Sequence, residues 1–247
     1  MLKAFADGRL FGATYGTGPA WVLALHGWRR THRDFDAVLA GLDAAAVDLP
    51  GFGGATPSPP AAWGPAEYAQ AVVPALDELG PEVVVLGHSY GGRVALHLAA
   101  ARPDRVRALV ATGAPFLHPP GGPSLRPHPR YRLARALHRA GIVGEGRMEA
   151  MRMRYGSADY RAATGVMRDV LVRSVNETDE VQLRSVSCPV ELVWGEADGE
   201  APVAVAKAAL ALLPAGLGRL TLRPGVGHLV PTEDPASLRQ ALERHRP

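Results

Sequence analysis

The sequence predicts a doubly wound, mostly parallel α/β sheet with an N-terminal β-hairpin and an inserted helical segment. Three observations carry this. Short unbroken apolar runs recur along the chain, as strands buried on both faces require. Between them lie segments whose apolar residues have helical spacing, and strands alternating with helices give a sheet covered on both sides. From about Pro115 to Ser187 the alternation lapses, which marks an insertion between two strands.

The elements follow in order. Asp7-Gly8 readily takes positive φ and sits between the alternating stretches Leu2–Phe5 and Arg9–Tyr15, a hairpin pattern. The apolar runs are Trp21–Leu25, Ala44–Leu49, Val83–Leu86, Val106–Thr112, Val190–Trp194 and Leu220–Leu222. Helical spacing is found in Phe35–Leu42, Ala69–Leu79, Val94–Ala101, Val203–Leu213 and Ala236–Arg244. Pro74 falls inside the second of these and is expected to kink or break it. The insertion opens with a Pro/Gly-rich loop, Pro119 to Pro129, followed by helix-like pieces around Tyr131–Ala140, Arg147–Tyr155, Tyr160–Val172 and Glu177–Ser185. The expected organisation is a core built from residues 1–114 and 188–247, with residues 115–187 as a helical cap over the edge where open α/β sheets bind ligands.

Composition narrows the function classes. The chain has 247 residues, 47% apolar and 21% charged, which excludes disordered, collagen-like and disulfide-scaffold proteins. Cys188 is its single cysteine, so neither an intrachain disulfide nor a cysteine-based metal cluster can form. No apolar run is long enough to span a bilayer, and no basic segment followed by an apolar one marks secretion, so a cytoplasmic protein without membrane insertion is expected. A net charge of +3 is too small to imply nucleic acid. The charge is uneven, however: His118–Ser185 holds twelve arginines against seven acids.

Chemistry concentrates at the predicted strand ends. Gly87-His88-Ser89-Tyr90-Gly91 follows one strand and opens a helix, the setting in which a G-x-S-x-G pattern becomes a sharp turn that presents its serine. Small residues are needed at both glycines, and the helix N-terminus favours the developing negative charge. The plainer reading is a glycine-rich turn with an incidental serine. Serine needs a base to remove its proton and a third group to orient that base. Asp198 lies just past the strand Val190–Trp194, and His228 in the loop after Leu220–Leu222; the order Ser89, Asp198, His228 is that of a hydrolase triad. Asp198 is also placed to cap the helix near Pro202, Glu196 and Glu200 are rival acids, and His228 can be read as an ordinary loop histidine. Donors for a tetrahedral oxyanion are expected from the backbone N–H groups of Tyr90 and Trp28, the latter in His26-Gly27-Trp28 directly after a strand. His26 then braces its loop, with metal ligation as the weaker alternative, and His88 packs or lines the site. Asp48-Leu49-Pro50-Gly51-Phe52-Gly53 lacks the lysine and hydroxyl of a phosphate loop and reads as a tight turn.

Taken together, His26-Gly27-Trp28, Asp48-x-Pro50-Gly51-x-Gly53, Gly87-x-Ser89-x-Gly91-Gly92, Trp194-Gly195-x-x-Asp198-x-x-x-Pro202 and Gly227-His228 with Glu233 and Pro235 resemble the α/β-hydrolase superfamily, specifically its cap-bearing esterase-like branch. The resemblance implies that Ser89 attacks, His228 shuttles protons and Asp198 stabilises the imidazolium, with no cofactor and no metal. Arg29 departs from the small residue usual after the His-Gly-Trp triplet. The substrate expected is a small molecule, either a carboxylic ester or an anionic metabolite. Arg29, Arg93, Met151, Tyr155 and Met167 are its candidate contacts. The alternatives are carbon–carbon bond hydrolysis or proton-abstracting elimination with the same triad, or a catalytically silent binding protein on the same fold. Nothing in the chain specifies an oligomeric state.

Overall fold

The structure, a computed structural model, describes residues 1–118 and 129–247. Its first half runs β1 (Leu2–Phe5), β2 (Leu10–Tyr15), β3 (Val22–Leu25), a 3-10 turn (His32–Phe35), α1 (Asp36–Leu39), β4 (Ala44–Asp48), α2 (Pro65–Asp77), β5 (Val83–His88), α3 (Tyr90–Ala101) and β6 (Val106–Thr112). Between β6 and β7 stand α4 (Pro129–Arg139), α5 (Glu145–Tyr155), α6 (Ala158–Ala162), α7 (Gly165–Asn176) and α8 (Glu180–Ser185). The chain closes with β7 (Val190–Gly195), α9 (Val203–Leu212), β8 (Gly218–Arg223), α10 (Val230–Glu233) and α11 (Pro235–Glu243).

The eight strands form one sheet in the order β1-β2-β4-β3-β5-β6-β7-β8. β1 and β2 form the expected hairpin, and β2 pairs antiparallel with β4. All the other pairings are parallel. The unbroken apolar runs explain themselves by residue parity, since successive strand side chains point to opposite faces. Leu23, Leu25, Val83, Val85, Leu109 and Ala111 pack on one face with Tyr68, Val72 and Leu76 of α2 and Val94 and Leu98 of α3. Val22, Ala24, Val84, Leu86, Ala108 and Val110 pack on the other with Val38 and Leu39 of α1 and Leu238 and Leu242 of α11. Cys188 is buried just ahead of β7, and burial pushes its thiol pKa up to about 11.

Three expectations are corrected. The Phe35–Leu42 helix is a 3-10 turn followed by the single short turn of α1. Pro74 does not break α2, which continues to Asp77. Only three residues follow it, so the helix loses its hydrogen bond near its end, where carbonyls are leaving the ladder anyway. The Tyr160–Val172 segment is two helices, α6 and α7, because Thr164 is extended (φ −128°, ψ 159°) and Gly165 has a φ of 53°. The Pro119–Pro129 loop lies outside the described residues except for Pro129, the first residue of α4.

Candidate active site

β5 ends at His88 and α3 begins at Tyr90, leaving Ser89 alone at the turn with φ 52° and ψ −119°. That region costs a side-chain-bearing residue about 1–3 kcal/mol and persists only where its surroundings enforce it. Here the glycines enforce it. A Cβ on Gly87 would lie 2.5 Å from the Gly92 Cα, and one on Gly91 would lie 2.1 Å from the Leu25 carbonyl oxygen. α3 can therefore approach β3 and β5 closely enough to hold the turn tight.

His228 follows β8, in the loop before α10, and its Nδ1 lies 2.9 Å from Asp198 Oδ2. Asp198 is buried in the turn after β7, where its Oδ1 accepts from the N–H groups of Glu200 (2.9 Å) and Ala201 (2.8 Å). The Trp194 indole, buried in β7, donates to the Ala201 carbonyl and braces the same turn. Burial by itself would raise the Asp198 pKa, but the His228 hydrogen bond and the two amides carry it below the usual carboxylate range. An ionised carboxylate only accepts, so Nδ1 of His228 carries the proton and Nε2 is free to act as a base. Burial would likewise push the His228 pKa down. Asp198, through its hydrogen bond and charge, together with the charges of Glu200 and Glu233, lifts it above the ordinary histidine value. Glu233 also accepts from the N–H groups of Gly227 and Leu229, clamping the loop on both sides of the imidazole.

Ser89 and His228 line one cavity of about 370 Å³ with Gly27, Trp28, Arg29, Arg30, Asp159 and Glu200 among its walls. A larger cavity of about 480 Å³ beside the hairpin, lined by Lys3, His32, Arg33 and Asp48, contains neither of them. The loop after β3 presses against the serine turn, since a Cβ on Gly27 would meet Ser89 Cβ at 3.1 Å. Trp28 and Tyr90, whose backbone N–H groups are the candidate oxyanion donors, have their rings in edge contact at 5.7 Å between centroids. His26 is completely buried: its Nδ1 lies 2.7 Å from the Gly27 carbonyl and its Nε2 accepts from the Leu49 N–H at 2.9 Å. Both ring nitrogens are thus spent on bracing two loops. Burial lowers its pKa, and no group of metal-binding side chains occurs among the described residues.

Of the five proposed substrate contacts, Arg29 lines the cavity and the other four do not. Arg29 has a φ of 56°, so a residue usually small here takes the left-handed backbone that glycine adopts without strain. Its guanidinium reaches Asp159 of α6 at 3.4 Å. Arg93 is 2% exposed and turned away into the fold. It makes a two-pronged pair with Asp179 (2.6 and 3.0 Å) and donates to the carbonyls of Ser174 and Glu177, fastening α3 to the α7–α8 junction. Offered as an anchor for an anionic substrate, it has its guanidinium spent on these partners instead. Met167 packs over Gly51 and Tyr68, while Met151 and Tyr155 sit on α5. Sequence reasoning missed Asp159, which stands in no motif. Glu200 was named only as a rival acid; its Oε2 lies 3.5 Å from His228 Nε2.

Residues 22–241 match the model of the alpha/beta hydrolase family. Lipase LipV of Mycobacterium tuberculosis is 45% identical over 101 residues, 39% of this chain and 38% of that protein. Epoxide hydrolase 3 of Siraitia grosvenorii is 39% identical over 114 residues, 42% of this chain and 35% of that one. These matches span little more than a third of the relatives' own length. Among solved structures, a bacterial membrane phospholipase A superposes with a TM-score of 0.72 at 17% identity, covering 99% of this chain and 84% of that one, a likeness of fold. No helix among the described residues is long and apolar enough to cross a membrane. With the family match running from β3 into α11, across the serine turn, the acid turn and the histidine loop, the chain belongs to the alpha/beta hydrolase family.

Proposed function

We propose that this protein is a serine hydrolase that cleaves carboxylic esters through an acyl-enzyme. The observation that carries the reading is the His228–Asp198 hydrogen bond of 2.9 Å in the cavity that Ser89 lines from its strained turn. In this mechanism Ser89 Oγ attacks the ester carbonyl carbon while His228 Nε2 takes its proton. The tetrahedral oxyanion accepts from the N–H groups of Trp28 and Tyr90. The imidazolium, held by Asp198, then protonates the departing alkoxide. Water attacks the acyl carbonyl by the same route in reverse, releasing the acid and freeing Ser89. Glu200 is the carboxylate that approaches Nε2 among the described residues, and its side chain is 76% exposed, so an arriving substrate displaces it cheaply.

Charge within the cavity favours a neutral ester over an anionic metabolite. Arg30 is committed to Asp34 through two bonds of 2.6 and 2.7 Å, Arg29 reaches Asp159, and Glu200 adds a further negative charge. The helices between β6 and β7 act as a cap in this reading, with residues 115–187 inserted into a core of 1–114 and 188–247. The names of two relatives, Lipase LipV and a pimeloyl-[acyl-carrier protein] methyl ester esterase of Neisseria meningitidis, agree with ester chemistry.

The test is Ser89→Ala. Turnover of short p-nitrophenyl esters is expected to fall by at least about 10³-fold while the thermal melt is retained, because a triad without its nucleophile keeps only oxyanion and binding effects. A folded variant with undiminished turnover would rule the reading out.

A further inference from the structure

His88 is a buried, titratable group that the mechanism above does not use. It is the last residue of β5, next to Ser89, and is 1% exposed. Its Nε2 lies 3.0 Å from the backbone carbonyl oxygen of His228, and the two imidazole rings stand 5.0 Å apart between centroids. A carbonyl only accepts, so Nε2 carries the proton and donates. Nδ1 is left as a bare acceptor, and it has no partner among the described residues. A buried unpaired acceptor destabilises the fold, a cost that an apolar side chain of the same shape would avoid. The Nε2 bond to the His228 carbonyl is what a histidine offers here in return.

We propose that His88 is a positioning residue, whose ring ties the loop carrying the base to the strand carrying the nucleophile and so sets the His228 imidazole relative to Ser89. This rests on the triad reading above. The other ties on that loop come from elsewhere: Asp198 holds Nδ1 from the turn after β7, and Glu233 holds the flanking amides from α10. His88 is the tie that reaches it from β5 itself. The ring is also wedged in place, since a Cβ on Gly27 would come within 2.9 Å of Nδ1. Burial first, and then repulsion from His228, holds the His88 pKa down to about 4; Arg30 acts in the same sense, while the His228 carbonyl and Asp34 oppose them. The ring therefore stays neutral while His228 titrates, and adds no positive charge of its own beside the imidazolium that forms during acylation. Asp198, Glu200 and Glu233 favour the charged form of His228, and Arg29, Arg30 and Asp159 line the same cavity.

The experiment compares His88→Phe, which keeps a ring and removes the donor, with His88→Gln, whose amide N–H reaches a similar place. Three quantities are read: steady-state kinetics on a neutral p-nitrophenyl ester, the pH profile of kcat/KM, and the rate of Ser89 labelling by a fluorophosphonate. In His88→Phe, kcat and the labelling rate are expected to fall about 10- to 100-fold, as for a small misplacement of a reacting group, with KM within about twofold. The acid limb should move to lower pH, because a loosened His228 loses part of the Asp198 interaction that raises its pKa. His88→Gln should recover most of the loss. If His88→Phe does not fold, His88→Asn replaces it, since its shorter amide cannot reach the carbonyl. Retention of more than half the kcat with an unmoved acid limb would overturn the proposal, as would a His88→Gln no better than the variant lacking the donor. Absence of labelling in the wild-type protein would overturn the triad reading and this one together. Normal labelling with unaffected His88 variants would overturn this one alone.

Discussion

At the scale of single residues, the imidazole of His228 is governed by the carboxylates around it. Asp198 sits on Nδ1, Glu200 near Nε2 and Glu233 behind the loop, and their sum outweighs burial, so the folded pKa lies above the ordinary value of 6.5. In the proposed mechanism His228 works as a base only when neutral. Ester turnover, as kcat/KM, is therefore expected to be full at high pH and to fall as pH drops through a midpoint above 6.5. Glu200→Gln removes one of the charges that favour the imidazolium, and should move that midpoint to lower pH. A wild-type midpoint at or below 6.5, or a Glu200→Gln profile shifted upward, would contradict this account of the electrostatics. Ser89 and Arg29 share another property: both hold left-handed backbone with a full side chain. Only Ser89 was legible as such, because its turn has a motif. Arg29 stood out solely as a departure from the resembling family's pattern, and nothing in that departure announces its positive φ.

At the scale of elements, the sheet was readable and the insertion only partly so. Strands buried on both faces leave a continuous apolar run whatever their neighbours are, so β3 to β7 could be placed to within a residue or two. Ser89, Asp198 and His228, the proposed triad, follow β5, β7 and β8. The insertion helices lack that constraint. α4 buries none of its side chains and α5 only Met148, so packing against the sheet does not fix their place. What fastens the insertion is a buried cluster that no local pattern announces: Arg93 of α3 against Asp179, 86 positions away, with His97 donating a third contact at 3.0 Å. Arg93 and Asp179 are 2% and 1% exposed, so neither charge has water to fall back on. Arg93→Met is expected to destabilise the fold by about 3–5 kcal/mol in urea melts, the usual cost of orphaning a buried charge. The double variant Arg93→Met/Asp179→Leu should recover most of it. A single variant within about 0.5 kcal/mol of wild type would show that the pair is not the fastening.

For the molecule as a whole, stability should be graded from the sheet outward. β3, β5 and β6 are buried on both faces, and α7 and α8 join the core through Val170 and Leu183. α4 and α5 rest chiefly on each other and on surface ion pairs such as Arg168–Glu149, individually worth about 1 kcal/mol or less. Native-state hydrogen exchange should therefore release the α4 and α5 amides well before those of β5. Equal protection across both regions would refute that gradient. The sequence could separate these two regions by composition, but the ranking of helices within the insertion emerges only from what each one buries.

The lone thiol of Cys188 has a practical corollary. Buried just ahead of β7 and reluctant to ionise, it is expected to react only slowly with alkylating dyes at neutral pH. Site-specific fluorophores can accordingly be attached through one engineered cysteine on α4 and another on α2 without first stripping the native sulfur. The distance between those two helices then becomes directly measurable, molecule by molecule, as substrate comes and goes.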